Sequence, residues 1–167
     1  MELAKVVEVV RSRTPQCRRD VLECVLTLAL EIVREGHEGR PVGTIFTVGN
    51  ADDVLKKSRP LILDPLAGHE PNSTRITNEQ LRGTLKQLAQ LDGAFVVGED
   101  GTVVSACRYL DVPAVGVDIP LGLGSRHVAA ASISRSRGVV AVVTSASGMI
   151  RIFCEGELVA TLDPAAV

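Results

Sequence analysis

Apolar positions recur at helical spacing between Val21 and Val33. Val21, Leu22, Val25, Leu28, Ala29, Ile32 and Val33 share one face, and Leu26 and Leu30 widen it. The pattern predicts a well-buried helix that Gly36 terminates. Ahead of it, residues 1–13 mix polar and apolar positions as a short helix. Thr14-Pro15 breaks that helix, because the residue before a proline is pushed out of the helical region. Residues 1–16 therefore read as an N-terminal helical arm. Leu81, Leu85 and Leu88 predict a further helix, opened by Thr77 and Gln80 at capping-box spacing.

Short apolar runs predict strands. Val42–Val48 is one, closed by a turn at Gly49-Asn50, and Leu61–Leu63 is a second, stopped by Asp64-Pro65. Ala94–Val97 and Thr102–Cys107 form a hairpin about Glu99-Asp100-Gly101. Pro113–Asp118 adds a short extended piece. Val139–Thr144, Met149–Cys154 and Glu157–Leu162 make three more strands, with turns at Ser145–Gly148 and Glu155-Gly156. Ala67–Arg75 reads as a surface loop. Gly122–His127 reads as a Gly-rich loop that enters a helix built from the small-residue run Val128–Ile133. No repeat or linker divides the chain. The expectation is an α/β single globular domain over residues 17–167, with a central mixed β-sheet of about six or seven strands flanked by helices.

Composition narrows the function classes. A chain of 167 residues buries a core without disulfide or metal staples. Hydrophobic residues at 46% and charged residues at 23% exclude disorder as the main state. The net charge of −2 carries no basic nucleic-acid footprint. The arginines at 11, 13, 18 and 19 cluster without aromatic residues between them, a weak nucleic-acid signal. Phe46, Phe95, Phe153 and Tyr109 are too few aromatic residues for stacking successive bases of a single strand. Cys17, Cys24, Cys107 and Cys154 form no C-x-x-C pair and adjoin no His, which points to reduced thiols in a cytosolic protein rather than to zinc. No apolar run reaches the roughly 18–20 residues that cross a bilayer, and the N-terminus lacks a signal pattern. A cytoplasmic protein without a membrane partner is expected.

Two segments carry candidate chemistry. In Leu91-Asp92-Gly93-Ala94 an acidic residue stands between a helix end and a buried strand. Asp92 is suited to hold a metal or accept a hydroxyl proton, and Gly93 lets a ligand approach the backbone. The same dipeptide also serves as an ordinary turn. In Gly122–His127 the glycines free backbone N–H groups ahead of a helix N-terminus, the outline of a phosphate cradle. Ser125 adds a hydroxyl, Arg126 a planar guanidinium and His127 a metal or phosphate ligand. The spacing matches neither a P-loop nor a dinucleotide fingerprint, and a structural Gly loop remains the alternative. His37 and His69 lie in loop sequence. Arg135 and Arg137, with Ser132 and Ser134, form a basic-hydroxyl run at a helix end.

Taken together, Asp92-Gly93-Ala94 and Gly124-Ser125-Arg126-His127-Val128-Ala129-Ala130 resemble the two signatures of the diadenylate cyclase domain, also called the DNA-integrity-scanning-protein N-terminal domain. Gly43–Asn50 resembles that family's first core strand and turn. Arg108-Tyr109-Leu110 resembles the segment lining its adenine pocket. The resemblance covers roughly residues 20–163 and has an archaeal flavour. It implies condensation of two ATP into cyclic di-AMP with release of two pyrophosphates. It also implies a divalent metal (manganese, magnesium or cobalt) and two domains face to face. Asp92 would bind metal and orient the attacking 3′-hydroxyl. Gly93 and Ala94 would shape the nucleotide site, with Gly124 opening the phosphate loop. Ser125, Arg126 and His127 would hold phosphates, His127 would also touch the metal, and Leu110 would pack on adenine.

Two departures bear on activity. Where the family motif carries a second arginine, this chain has Val128, which leaves Arg135 or Arg137 as the expected replacement. The turn that holds a metal-binding glutamate in bacterial members is Thr144-Ser145-Ala146-Ser147-Gly148, without a carboxylate, so Glu99 and Asp118 are the candidate substitutes. The alternative expectation is a catalytically impaired module that binds ATP or cyclic di-AMP and acts through assembly. A DNA-contacting role ranks last, since the family's DNA-binding domain is separate from this one.

Overall fold

The computed structural model describes residues 2–167. Helices α1 (Leu3–Arg13) and α2 (Arg19–Glu35) precede strand β1 (Thr44–Val48). Helix α3 (Ala51–Lys56), strand β2 (Ser58–Pro60) and helix α4 (Glu79–Leu88) follow. Strands β3 (Ala94–Val97) and β4 (Val103–Leu110) lead to helix α5 (Ser125–Ile133). Strands β5 (Val140–Thr144), β6 (Ile150–Cys154) and β7 (Glu157–Leu162) close the chain. The seven strands form one sheet in the order β2-β4-β3-β1-β5-β6-β7. Only β1 and β3 run parallel; every other neighbouring pair is antiparallel. This is the mixed α/β sheet that the hydrophobic pattern predicts.

Helices cover both faces, so β1, β3 and β5 are buried at every position and mostly apolar, with Thr44, Thr47 and Thr144 as buried polar residues. On one face Phe46, Val48, Phe95, Val142, Ile150 and Ile152 pack against α1, α2 and α4. Helix α2 supplies eight buried residues to that layer. Each fully buried Leu, Ile or Val contributes about 1.5–3 kcal/mol relative to exposure, which makes α2 the main cover of this face. Helix α1, expected as an arm, has Val6, Val7 and Val10 fully buried in the same cluster. On the other face Ile45, Val96, Val143 and Phe153 pack against α3 and α5. The run Ala129-Ala130-Ala131 brings α5 close to the sheet.

Three local expectations are corrected, and one helix is added. Leu61–Leu63 is not a strand: β2 lies just before it, and the three apolar side chains are exposed, Leu63 at 95%. Pro113–Asp118 is irregular and joins the sheet's hydrogen bonding through a parallel bridge from Asp118 to Glu157. The cap of α4 is Asn78, whose side chain accepts from the Gln80 N–H, and not Thr77. Helix α3 has no counterpart in the sequence reading, because six residues rich in Asp and Lys show too little periodicity. The first layer is anchored by Phe46 and Phe95, in register on β1 and β3 and stacked with ring centroids 4.8 Å apart. Phe46→Ala should lower unfolding stability by about 3–5 kcal/mol in a denaturant titration.

Candidate functional site

The strand ends at one edge of the sheet define the site. The N-terminal ends of β1 and β3, the C-terminal ends of β4 and β5 and the start of β6 meet there. Helix α5 lies over β1, β5 and β6 on that face and begins at this edge. An open cleft of about 1190 Å³ results. It brings together both segments singled out in the sequence: Asp92, Gly93 and Ala94 on one side, Gly124, Ser125, Arg126 and His127 on the other. Leu110 and the Ser145–Ser147 turn also line it. His37, His69, Glu99, Asp118, Arg135 and Arg137 do not.

Gly93 is fixed by the backbone rather than by a ligand. It has φ +111°, and a Cβ there would stand 2.6 Å from Cys107 Cα and 2.7 Å from the Arg108 nitrogen. Strand β4 can approach so closely because it bulges: the register with β3 shifts between Ala94 and Val96, and Cys107 takes φ 58°. The bulge places Arg108 across β2 and α3, where its guanidinium donates to Ser58 Oγ and to the Leu55 and Ser58 carbonyls. Asp92 follows α4 and is exposed at the mouth of the cleft.

The first turn of α5 offers its N–H groups without a side-chain cap. Arg126 folds back over Gly43, where a Cβ would stand 2.9 Å from its Cζ, so a side chain there would shift the guanidinium. His127 points inward and is 6% exposed, its ring edge-on to Phe153 at 6.4 Å between centroids. Burial holds its imidazole below the usual range, and Arg151 and Arg126 add to the effect. Both influences favour the neutral ring.

Arg151 is the cleft residue that the sequence reading missed. It extends from β6 on the α5 side, and its Nη1 stands 3.4 Å from both His127 Nε2 and Ser145 Oγ. The signal was there: an arginine inside the otherwise apolar run Ile150-Arg151-Ile152-Phe153-Cys154. The expected replacements for the missing motif arginine are engaged elsewhere. Arg135 Nη1 donates to the Val115 carbonyl, and Arg137 lies at the far end of α5. The arginines near Pro15 pair within the fold: Arg13 with Glu155 and Glu157, Arg18 with Asp20, Arg19 with Glu23, and Arg11 with the Cys17 carbonyl.

Among the described residues no three His, Cys, Asp or Glu side chains come together. Asp92 and neutral His127 supply one carboxylate and one imidazole within the cleft. Hard divalent ions bound beside phosphates take few protein ligands and fill their shells with phosphate oxygens and water. A carboxylate and an imidazole are donor types that such an ion accepts. Burial pushes the Cys17 thiol up to about 12 and Cys154 to about 11, so neither offers a thiolate.

An α/β sheet with a cationic cleft at a helix N-terminus defines a class of nucleotide- or phosphate-binding domains. Residues 32–158 match the family described as DAC, DisA bacterial checkpoint controller nucleotide-binding, and the chain belongs to that family. It is 46% identical over 150 residues to a diadenylate cyclase of Methanocaldococcus jannaschii, covering 89% of this chain and 47% of that protein. It is 42% identical over 153 residues to a diadenylate cyclase of Haloferax volcanii, covering 91% and 54%. The chain thus spans about half the length of these curated relatives. The fold is shared with DacA of Staphylococcus aureus, at TM-score 0.59 and 18% identity over 88% of this chain and 89% of that one. It is also shared with a hypothetical membrane-spanning protein of Bacillus cereus, at TM-score 0.62 and 16% identity over 96% and 78%. No helix among the described residues of this chain is long and apolar enough to cross a membrane.

Because the Gly93 Cβ position is filled by β4 backbone, Gly93→Ala should destabilise the fold by about 1–3 kcal/mol. Thermal unfolding followed by circular dichroism reads this directly, without any ligand.

Proposed function

We propose that the chain is a diadenylate cyclase that condenses two ATP into cyclic di-AMP, two copies meeting at their clefts. The observation that carries the reading is the meeting of Asp92-Gly93-Ala94 with Gly124-Ser125-Arg126-His127 in one cleft, in a chain of this family. The apolar lining by Leu61, Leu110 and Val112 suits a base, and the first turn of α5 suits phosphates.

In each half-reaction the 3′-oxygen of one ATP forms a bond to the α-phosphorus of the other. The α–β anhydride bond breaks and pyrophosphate leaves with that electron pair. Asp92 orients the 3′-hydroxyl and takes its proton. Ser125 and the free N–H groups of α5 fix the phosphates, and Arg126 neutralises charge that grows on the α-phosphoryl oxygens. Asp92 and His127 would hold a divalent ion (manganese, magnesium or cobalt), which supplies further neutralisation at the phosphates. One cleft has one Asp92, so ring closure needs a second copy with two-fold symmetry. Leu61, Tyr109 and Leu121 line the cleft and remain exposed, at 41%, 46% and 102%. An apolar rim of this kind supports self-association at the mouth.

Incubation with ATP and manganese, followed by chromatography with mass detection, should yield cyclic di-AMP. Asp92→Asn should abolish the product. Its melting curve should stay within about 0.5 kcal/mol of the parent, since Asp92 is exposed. An Asp92→Asn protein with full activity would remove Asp92 from the mechanism. Bound ATP without product from the parent chain would favour the non-catalytic module.

A further inference from the structure

The cleft changes character along its length. Its β4 end is apolar, with Leu61, Leu110 and Val112; its β6 end is polar, with Ser145, Ser147 and Arg151. In the strand order β4 and β6 are four positions apart, about 19 Å at the usual strand spacing of ~4.8 Å. The first turn of α5 lies between them, because α5 packs over β1, β5 and β6. A nucleotide with its base at Leu110 and its α-phosphate at Ser125 and Arg126 therefore carries its terminal phosphates toward Arg151.

We infer that Arg151 clamps the β- and γ-phosphates, the part of ATP that leaves as pyrophosphate. The inference rests on the cyclase reading and assigns the leaving-group end of its site. Alternation along β6 explains the placement. Ile150, Ile152 and Cys154 face α1 and α2, while Arg151 and Phe153 face the α5 side. Phe153 is covered by α5, but Arg151 lies where that helix begins and is left facing the cleft. Its guanidinium is half-buried and pairs with no carboxylate among the described residues. A partly desolvated cation without a counter-charge is costly, and an anionic ligand removes that cost. The two contacts it makes, both 3.4 Å, are long for hydrogen bonds and yield readily to phosphate oxygens. The planar guanidinium takes such oxygens in pairs. The other cleft arginines are placed differently: Arg108 is held by Ser58 and Leu55, and Arg126 folds over Gly43 at the start of α5, while Arg135 is held outside the cleft by the Val115 carbonyl. Arg151 thus brings from β6 a positive charge that Val128 cannot bring from α5.

The test compares ligands with and without a pyrophosphate group on the full chain. Binding of 3′-deoxy-ATP, which cannot cyclise, of AMP and of cyclic di-AMP is measured by calorimetry with manganese present. Arg151→Gln should weaken 3′-deoxy-ATP by about 10- to 100-fold and leave AMP and cyclic di-AMP within about twofold. Arg151→Lys should recover part of the loss, since it keeps the charge but not the fork. Equal weakening of all three ligands would overturn the assignment, because Arg151 would then only support His127 and the cleft wall. Unchanged binding of 3′-deoxy-ATP would overturn it as well. A parent chain that binds none of the three would overturn the cyclase reading itself, and this inference with it.

Discussion

Strand β4 passes so close to Gly93 that a Cβ there would stand 2.6 Å from Cys107 Cα, and the mouth of the cleft is arranged around that approach. The approach requires the bulge in β4, with Cys107 in the left-handed region at φ 58°. For a residue with a Cβ that conformation costs about 1–2 kcal/mol. The surrounding pairing over-determines it: Leu61 N–H donates to the Cys107 carbonyl at 3.0 Å, and Ser105 Oγ donates to Asp64 at 2.6 Å. The bulge turns Arg108 toward β2 and brings Leu110 to the cleft. The glycine between Asp92 and Ala94 is thus a packing requirement first, and the exposure of Asp92 at the mouth follows from it.

Charge is the second organising constraint. Arg126 and Arg151 reach the cleft without carboxylate partners, against the single carboxylate of Asp92. Neutral His127 stands between them, its protonation opposed by burial and by both guanidiniums. The protein itself therefore supplies positive charge from two elements, a helix and a strand, where the family motif concentrates it on the helix. The carboxylate-free Ser145–Ser147 turn belongs to the same balance, since Ser145 Oγ accepts from the guanidinium of Arg151.

Much of this was legible in the sequence because periodicity reports burial. The two-faced sheet and the buried α2 follow from apolar runs, and the two signature segments identify the cleft before the fold is known. What was hidden has physical causes. Leu61–Leu63 is as apolar as any strand, but β2 ends at Pro60 and the run that follows stays exposed. Helix α3 is too short and too charged to show a period. Arg151 carries no motif; its meaning comes from β6 pairing with β5, which places it at the start of α5. Arg135 and Arg137 looked like replacements because they follow the motif in sequence. The length of α5 takes them to its opposite end.

The edges of the sheet limit how copies of this chain can join. At one side β2 is only three residues long and ends at Pro60, which has no N–H to offer a further strand. At the other, the start of β7 is occupied by the bridge from Asp118 and by the ion pair of Arg13 with Glu157. Continuous sheets across two molecules are disfavoured at the β2 edge and at the start of β7. In the proposed face-to-face pairing the contacts would then come from side chains, and the concentration of the protein would set how many complete sites form.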